Sequence, residues 1–362
     1  MRSSVLLAVC LVMLSGCASQ SGPTPLPQLA ITSVIPSATG VPNSIATFGN
    51  FEFISVQGTG QIFTYNIATG SQIPVGSPYT TPCTNPSGMV LTTIAANPVM
   101  APVMAVVCFD TGSLLTLNLH PDGTLSPLGS VSGLPMPYPG IMLDGTNVLI
   151  PLFGQPGSTN GGVARVSIAS PANPVITGTA TLASPAPGEF ANPGSLTAAN
   201  GYIYVAAGSE SAPQLTSSSI QVVNEATMTL VGTPLIVAHS PQQIAIQNAT
   251  AYITFFDATQ LESIDISNPA SLHPLQIASL TTKTQSCHAL PIAIQGTTAY
   301  VGCYDEAAID QFNIANPASM QLTQTITGVT APQRLQFAGQ YLLVPGSNPG
   351  GSVYQINMST TQ

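Results

Sequence analysis

The sequence predicts an all-β protein, a seven-bladed β-propeller with four-stranded blades, and three observations support this prediction. A pattern of short strands recurs along the chain, its period matches the length of a propeller blade, and a spare strand near the N-terminus completes the last unit. Each strand is a short stretch of alternating apolar and polar residues bounded by Gly, Asn or Pro, as is typical of half-buried β-strands.

The repeat is clearest in two consecutive segments, which begin at Ile244 and Ile292. They read "IAIQNATAYITFFDATQLESIDISNPASL" and "IAIQGTTAYVGCYDEAAIDQFNIANPASM". Both contain an apolar strand, a polar turn, a Tyr-bearing strand, an Asp-bearing turn, a third strand and Asn-Pro-Ala-Ser. Seven such units occur, and their third strands end at Ile67, Leu119, Ile168, Val223, Ile266, Ile314 and Ile356. A spacing of roughly 40 to 55 residues suits propeller blades.

The last unit supplies only three strands, and the missing fourth strand has a candidate near the N-terminus. Residues 27–38, "PQLAITSVIPSA", resemble the fourth-strand segment "QLTQTITGVTAP" at 321–332. We expect the N-terminal strand to form the outer strand of the last blade, because an open ring would expose unpaired strand edges. The predicted propeller therefore spans residues 28–362.

The composition excludes several classes of function. Hydrophobic residues make up 44% of the 362 residues and charged residues only 5%, against about a quarter in an average protein. The net charge is −9, and only four Lys and Arg residues are present. Binding to a nucleic acid or to an anionic membrane surface depends on clustered cations, so we expect neither.

The first 16 residues have the features of a signal peptide. A basic start at Arg2 is followed by an apolar run, Val5–Leu14, that is too short to span a bilayer. The run ends in Leu-Ser-Gly-Cys, which resembles a bacterial lipobox. The resemblance implies cleavage before Cys17 and attachment of lipid to its sulfur, while ordinary secretion is the alternative. Residues 17–27 are then the lipidated cysteine and a Pro-rich, flexible tether.

The residue after Cys17 bears on the location of the protein. It is Ala18 rather than Asp, which resembles outer-membrane sorting in Gram-negative lipoproteins. The resemblance implies a protein of the bacterial cell envelope, anchored by lipid at the outer membrane and facing the periplasm or the surface.

The sequences of the repeats also resemble LVIVD-type and YVTN-type propeller repeats. The resemblance lies in "AYITFFDATQLESIDISNPASL", "VARVSIASPANPVITGTATL" and "YIYVAAG" followed by "SIQVV", and it covers most of residues 43–362. These repeats imply the fold and not an activity, because they occur in proteins with many functions. The chain contains no Trp, so WD40-type blades are not matched.

Four cysteines lie in the predicted propeller, in two equivalent pairs. Cys83 and Cys287 precede the innermost strands of their blades, and Cys108 and Cys303 lie near the ends of the following strands. Antiparallel neighbours bring each pair within reach of a disulfide, and the cell envelope is oxidising. We therefore predict the disulfides 83–108 and 287–303, with pairing across blades as the alternative. The chain has no CxxC motif, which disfavours a zinc site.

Candidate ligand-binding residues lie on one predicted face of the ring. They are His239, His288, Asp110, Asp257, Asp305 and Arg334. The Asp residues could contribute to a Ca²⁺ site or to acid–base chemistry, but the favoured interpretation is that they cap turns. Arg334 could bind an anionic ligand or pair with an acid. His120 and His273 precede prolines in outer loops, where we expect them to be exposed. We assign no catalytic residue and no metal ligand.

Two classes of function remain open. The first is a non-enzymatic binding or scaffold protein, attached to the membrane through its lipid and contacting envelope proteins or a small ligand. The second is a propeller-type enzyme, a lactonase-like hydrolase or a dehydrogenase, with its site at the channel mouth. Such enzymes need clustered His, Glu, Arg or metal-binding acids, of which this chain has few, so binding is favoured. We expect no cofactor, with Ca²⁺ as the alternative.

Overall fold

Seven antiparallel sheets, one for each blade, make up the computed structural model. It describes residues 31–36, 41–69, 71–73, 76–96, 99–154, 159–208, 218–280, 288–346 and 352–358. In chain order the strands are β1 (Ile31–Pro36), β2 (Val41–Phe48), β3 (Phe51–Gln57), β4 (Gln61–Asn66), β5 (Ser71–Gln72), β6 (Tyr79–Thr80), β7 (Pro86–Ala96), β8 (Val99–Cys108), β9 (Ser113–Leu119), β10 (Leu125–Ser132), β11 (Met142–Asp144), β12 (Asn147–Leu152), β13 (Gly162–Ser167), β14 (Val175–Thr181), β15 (Asn192–Ala199), β16 (Tyr202–Gly208), β17 (Ser218–Asn224), β18 (Thr229–Val237), β19 (Pro241–Gln247), β20 (Thr250–Phe255), β21 (Gln260–Asp265), β22 (His273–Ser279), β23 (Ala289–Gln295), β24 (Thr298–Cys303), β25 (Ala308–Asn313), β26 (Gln321–Thr327), β27 (Gln336–Ala338), β28 (Tyr341–Gly346) and β29 (Ser352–Asn357). The predicted all-β propeller with seven blades is confirmed.

Each blade is a meander in which neighbouring strands pair in sequence order. Blade 1 holds β2–β6, blades 2 to 6 hold β7–β10, β11–β14, β15–β18, β19–β22 and β23–β26, and blade 7 holds β27–β29 with β1. Blade 1 differs from the predicted four strands because its outer strand is split into β5 and β6, which both pair with β4. None of the described segments is a helix long and apolar enough to cross a membrane.

The ring is closed by the N-terminal strand, as the sequence predicts. β1 pairs antiparallel with β29, with Val34 opposite Tyr354 and Pro36 opposite Ser352. An apolar cluster then joins blade 7 to blade 1, where Leu343 and Val353 pack with Ile54. The last blade therefore combines strands from both ends of the described chain.

The hydrophobic core lies between the blades rather than in one central mass. Each of the seven clusters formed by the described residues draws its side chains from two consecutive blades. The blades are sheets packed face to face, so the inward side chains of one blade cover those of the next. Each blade consequently depends on both of its neighbours for burial.

The two rims of the ring differ in their loops. The entry face, as we call it, carries the connections between blades and the turns between second and third strands; the opposite face carries the other turns. On the entry face, a proline lies at or within four residues of the start of every innermost strand: Pro42, Pro86, Pro139, Pro193, Pro241, Pro291 and Pro332. Innermost strands approach closely there, since a Cβ on Gly140 would lie 2.9 Å from the Gly194 carbonyl oxygen.

The predicted disulfide between Cys83 and Cys108 is present, with their Cα atoms 5.9 Å apart. It ties the entry of blade 2 to the end of its second strand. Cys303 is also disulfide-bonded. Cys287, its predicted partner, lies outside the described residues, as do the signal peptide at 1–16, Cys17 and the tether at 17–27.

Glu52 is an acid at a core position where the other six blades have an apolar residue. Its side chain is fully buried in β3, and neither carboxyl oxygen has a hydrogen-bond partner among the described residues. Strand register aligns it with six apolar residues that are at most 1% exposed: Met104, Val148, Ile203, Ala251, Ala299 and Leu342. Burial raises the pKa of Glu52 to about 8. The carboxyl is therefore mostly protonated at neutral pH.

Replacing Glu52 with Met is expected to stabilise the protein. The folded-state pKa lies above the value near 4.5 of an exposed Glu, so this group lowers stability progressively from about pH 4.5 to pH 8. The gain of Glu52→Met should therefore grow with pH and reach about 4 kcal/mol at pH 8, since each pKa unit is worth about 1.4 kcal/mol. Urea unfolding at pH 5 and pH 8 measures it. Glu52→Gln cannot titrate but stays polar, so it should remove the contribution of residue 52 to the pH dependence of stability and stabilise the protein less than Glu52→Met does. If Glu52→Met raises the free energy of unfolding equally at both pH values, Glu52 does not have the raised pKa assigned to it.

Candidate functional site

Two His–Asp pairs lie on the entry face of the neighbouring blades 5 and 6. His239 precedes β19 and Asp257 follows β20, with 3.5 Å between His239 Nδ1 and Asp257 Oδ2. In blade 6, Asp305 is the equivalent of Asp257, and His288 lies at the position of Ser240, one residue nearer the strand than His239; His288 Nδ1 and Asp305 Oδ2 are in direct contact. A His–Asp pair therefore occurs on each of two neighbouring blades, with the Asp in the equivalent place and the His shifted by one residue.

The Asp residues also hold the entry to the innermost strands. The backbone N–H of Ser240 donates to Asp257 Oδ1 at 2.7 Å, and that of His288 donates to Asp305 Oδ2 at 3.5 Å. In blade 2, Asp110 accepts from the N–H and hydroxyl of Thr84, each at 2.8 Å. All three Asp residues therefore have the turn-capping role that the sequence favours.

Aromatic rings link the two His–Asp pairs. Phe256, in the turn after β20, stacks on the ring of His288 with their centroids 4.4 Å apart. Phe255 meets His239 edge-on at 6.0 Å. Phe256 belongs to blade 5 and His288 to blade 6, so the stack crosses a blade junction. Sequence reasoning did not select Phe256, although its place beside Asp257 in the repeat could have drawn attention to it.

The side chains of both pairs remain partly exposed, which keeps them available to a ligand. The exposed fractions are 37% for His239, 52% for Asp257, 33% for His288 and 34% for Asp305. Each His turns its Nδ1 towards an Asp, which holds the ring in one orientation.

Glu262 is a buried acid near His239 that sequence reasoning also missed. It lies in β21 and is only 7% exposed. Burial raises the pKa of Glu262, and the charge of His239 opposes the rise. Glu262 is therefore a second acid near His239, inside the blade, whereas Asp257 lies at the surface.

The remaining candidate ligand residues, Arg334 and Asp110, belong to other blades. Arg334 is half-buried at the entry to blade 7, where its Nη1 donates to the carbonyl of Gln333 at 3.3 Å. Asp110 belongs to blade 2 and contacts that blade's own entry. His120 and His273 lie on the opposite face, and His120 is half-buried rather than exposed, because Nε2 of its ring is 2.8 Å from the Ser126 hydroxyl.

A small polar cavity on the entry face lies across the ring, at blades 1 to 3. It has a volume of about 250 Å³ and is lined by Asn43, Gln57, Asn85, Ser87, Phe109, Tyr138 and Pro139. Its amides, hydroxyls and rings can bind a ligand without adding charge. Among the described residues, no group of three His, Cys, Asp or Glu side chains could hold a metal ion.

Comparisons with known proteins identify the fold only. No family model matches the chain, and no curated protein matches it. Among solved structures, it is similar to the periplasmic gluconolactonase of Pseudomonas aeruginosa, with 17% identity, a TM-score of 0.64 and coverage of 91% of this chain and 94% of that one. It is also similar to virginiamycin B lyase from Staphylococcus aureus, with 12% identity, a TM-score of 0.62 and coverage of 90% and 98%.

A third similar structure is BamB from Moraxella catarrhalis. The identity is 12%, the TM-score is 0.56, and the match covers 88% of this chain and 84% of that one. Identities this low establish a shared propeller and carry no activity over to this chain.

Removing the cap at Asp110 should weaken blade 2, most clearly away from acid pH. Burial would raise the pKa of Asp110, but hydrogen bonds from Thr84 and Asn85 outweigh it and lower the pKa. A lowered folded-state pKa gives stability that is present above the ordinary value near 3.8 and is lost as the pH falls through the folded value. Asp110→Ala should lower the free energy of unfolding by about 1 kcal/mol at pH 7. Urea unfolding at pH 7 and pH 3 measures this loss. Asp110→Asn, which can still accept hydrogen bonds, should lose less stability than Asp110→Ala. A loss for Asp110→Ala that is larger at pH 3 than at pH 7 contradicts the capping role.

Proposed function

We propose that this protein is a binding or scaffold protein of the bacterial cell envelope, anchored through lipid on Cys17, whose partner binds the entry face. The observation that carries the proposal is the doubled His–Asp pair of blades 5 and 6, joined by the stack of Phe256 on His288. Two ordered, partly exposed imidazoles beside an aromatic ring form a surface of the kind that recognition sites use.

The two His–Asp pairs are better suited to binding a partner than to catalysis. Asp257 and Asp305 already accept backbone hydrogen bonds, so each carboxylate serves the blade as well as its histidine. The pairs lie on an open rim, whereas catalysis relies on groups that converge in a cavity closed to water. The proposal involves no cofactor, and stoichiometric Ca²⁺ or Zn²⁺ in the purified protein would instead favour an enzyme.

The path of the chain supports the orientation that this proposal requires. β1 runs from Ile31, opposite Ile356, to Pro36, opposite Ser352, so it begins at the opposite face and ends at the entry face. The chain therefore enters β1 at the opposite face. An anchored protein would then turn its entry face away from the membrane, towards soluble or neighbouring envelope proteins. One similar structure is a periplasmic protein, which agrees with this location.

Crosslinking in intact envelopes, followed by pull-down, tests the proposal. The four histidines supply a matched comparison, because His239 and His288 lie on the entry face and His120 and His273 on the opposite face. We expect one defined complex with the native protein and the His120→Ala/His273→Ala variant. The His239→Ala/His288→Ala variant should lose at least about 90% of it, as removal of two central contacts can cost more than 1.4 kcal/mol.

The anchor is tested in the same experiment with Cys17→Ser. This variant should fractionate as a soluble protein and recover less of the complex. Equal recovery with both histidine double variants would reject the entry face as the binding surface, and membrane association of Cys17→Ser would reject the lipid anchor.

The second candidate function is hydrolysis of a lactone, and the contact between His288 and Asp305 favours it. A histidine oriented by a carboxylate is the arrangement that a general base uses to activate water. The similarity to a gluconolactonase makes gluconolactone the natural first substrate. If the protein is such an enzyme, the purified protein should accelerate gluconolactone hydrolysis at neutral pH. The hydrolysis rate of His288→Ala should be lower by about 100-fold or more, and that of His120→Ala should be unchanged. No acceleration over the uncatalysed rate rejects this candidate.

A further inference from the structure

The opposite face carries a second cavity, at the junction of blades 3 and 4. Its volume is about 400 Å³, and it is lined by Arg165, Asn200, Gly201, Tyr202, Asn224, Glu225 and Ala226. Asp144, at the end of β11, reaches the same place, because its side chain hydrogen-bonds to that of Glu225. The site lies on the other rim from the His–Asp pairs and is independent of them.

Three charged residues meet at this junction where the other blades have none. The equivalents of Asp144 are Phe48, Thr92, Ala199, Gln247, Gln295 and Ala338. The equivalents of Arg165 are Thr64, Thr116, Val222, Ser263, Gln311 and Gln355. The equivalents of Glu225 are Ile67, Leu119, Ile168, Ile266, Ile314 and Met358. In a chain with 5% charged residues, three substitutions of this kind at one blade junction require an explanation.

The fold itself does not require these charges. The position of Arg165 links neighbouring blades elsewhere through uncharged groups: Thr116 donates to the Pro171 carbonyl and Ser263 to the Pro317 carbonyl. The position of Glu225 is filled by a buried apolar side chain in the other six blades. A hydroxyl and an isoleucine would therefore complete this junction as they complete the others.

The charged groups are held by hydrogen bonds, and burial weakens the negative charge of Glu225. Arg165 Nη1 donates to the carbonyl oxygen of Glu225, and its Nε donates to the Thr177 hydroxyl at 3.0 Å. Burial raises the pKa of Glu225 to about 7, the hydrogen bond and charge of Asp144 add to the rise, and Arg165 opposes it. Near neutral pH, Glu225 is therefore protonated for part of the time, which reduces the negative charge that Arg165 faces.

We propose that this cavity binds a neutral polyhydroxylated ligand, such as a sugar unit, between Arg165, Tyr202 and the Asp144–Glu225 pair. A hydroxyl both donates and accepts, so a ligand with several hydroxyls can donate to the carboxylate and accept from the guanidinium and from the amides of Asn200 and Asn224. The ring of Tyr202 offers a flat surface for the C–H face of the ligand. A cation would meet Arg165 and an anion would meet the acid pair, which disfavours both.

Saturation-transfer NMR with four sugars tests the proposal. Glucose and N-acetylglucosamine are the neutral probes, and glucuronate and glucosamine are their anionic and cationic counterparts. The native protein should bind at least one neutral sugar and bind both charged sugars more weakly. Glu225→Ile should weaken binding about tenfold or more, which is the loss of a charge-assisted hydrogen bond.

The Glu225→Ile variant separates binding from folding, because Ile is the residue that four other blades carry there. Thermal unfolding should show it to be at least as stable as the native protein. His288→Ala, on the other rim, should bind the sugars normally, so failure of the entry-face proposal would not affect this result. The proposal is overturned if no neutral sugar binds, if Glu225→Ile binds as well as the native protein, or if a charged sugar binds best.

Discussion

Closure of the ring by β1 on β29 is the constraint on which the rest of the structure depends. Each apolar cluster among the described residues is shared by two blades, so burial is complete only when all seven junctions form. Without the outer strand of blade 7, β29 would present an unpaired edge beside the seam with blade 1. The blades can vary in their loops because this shared burial holds them in place.

The candidate site is built on a structural link that the repeat already contains. An Asp in the turn after the second strand holds the start of the innermost strand in blades 2, 5 and 6. In blade 6 the residue held in this way is His288, and in blade 5 a histidine, His239, comes one residue before the held Ser240; each imidazole also faces the same Asp. The stack of Phe256 on His288 is an addition to this Asp link, and it joins the two pairs across a blade junction. The two pairs and the stack together make the surface that we propose for recognition.

Two acidic residues, Glu52 and Glu225, replace apolar residues of the repeat, and their surroundings differ. Glu52 stands alone in an apolar core, with no described partner, and its burial lowers stability. Glu225 takes an apolar position too, but Asp144 hydrogen-bonds to its side chain and Arg165 donates to its backbone carbonyl, beside an open cavity. A buried acid with ordered partners and adjacent space has the requirements of a binding site. An isolated one does not.

The sequence by itself determined the number of blades, the closing strand and the pairing of Cys83 with Cys108, because strand alternation is local and a repeat lets one blade be compared with the next. It also placed His239 and His288 on one face. Only the tertiary structure decided that Phe256 stacks on His288 and that Glu225 meets Asp144. These contacts join different blades, and their distances depend on how closely neighbouring sheets pack around the ring, which no local pattern records.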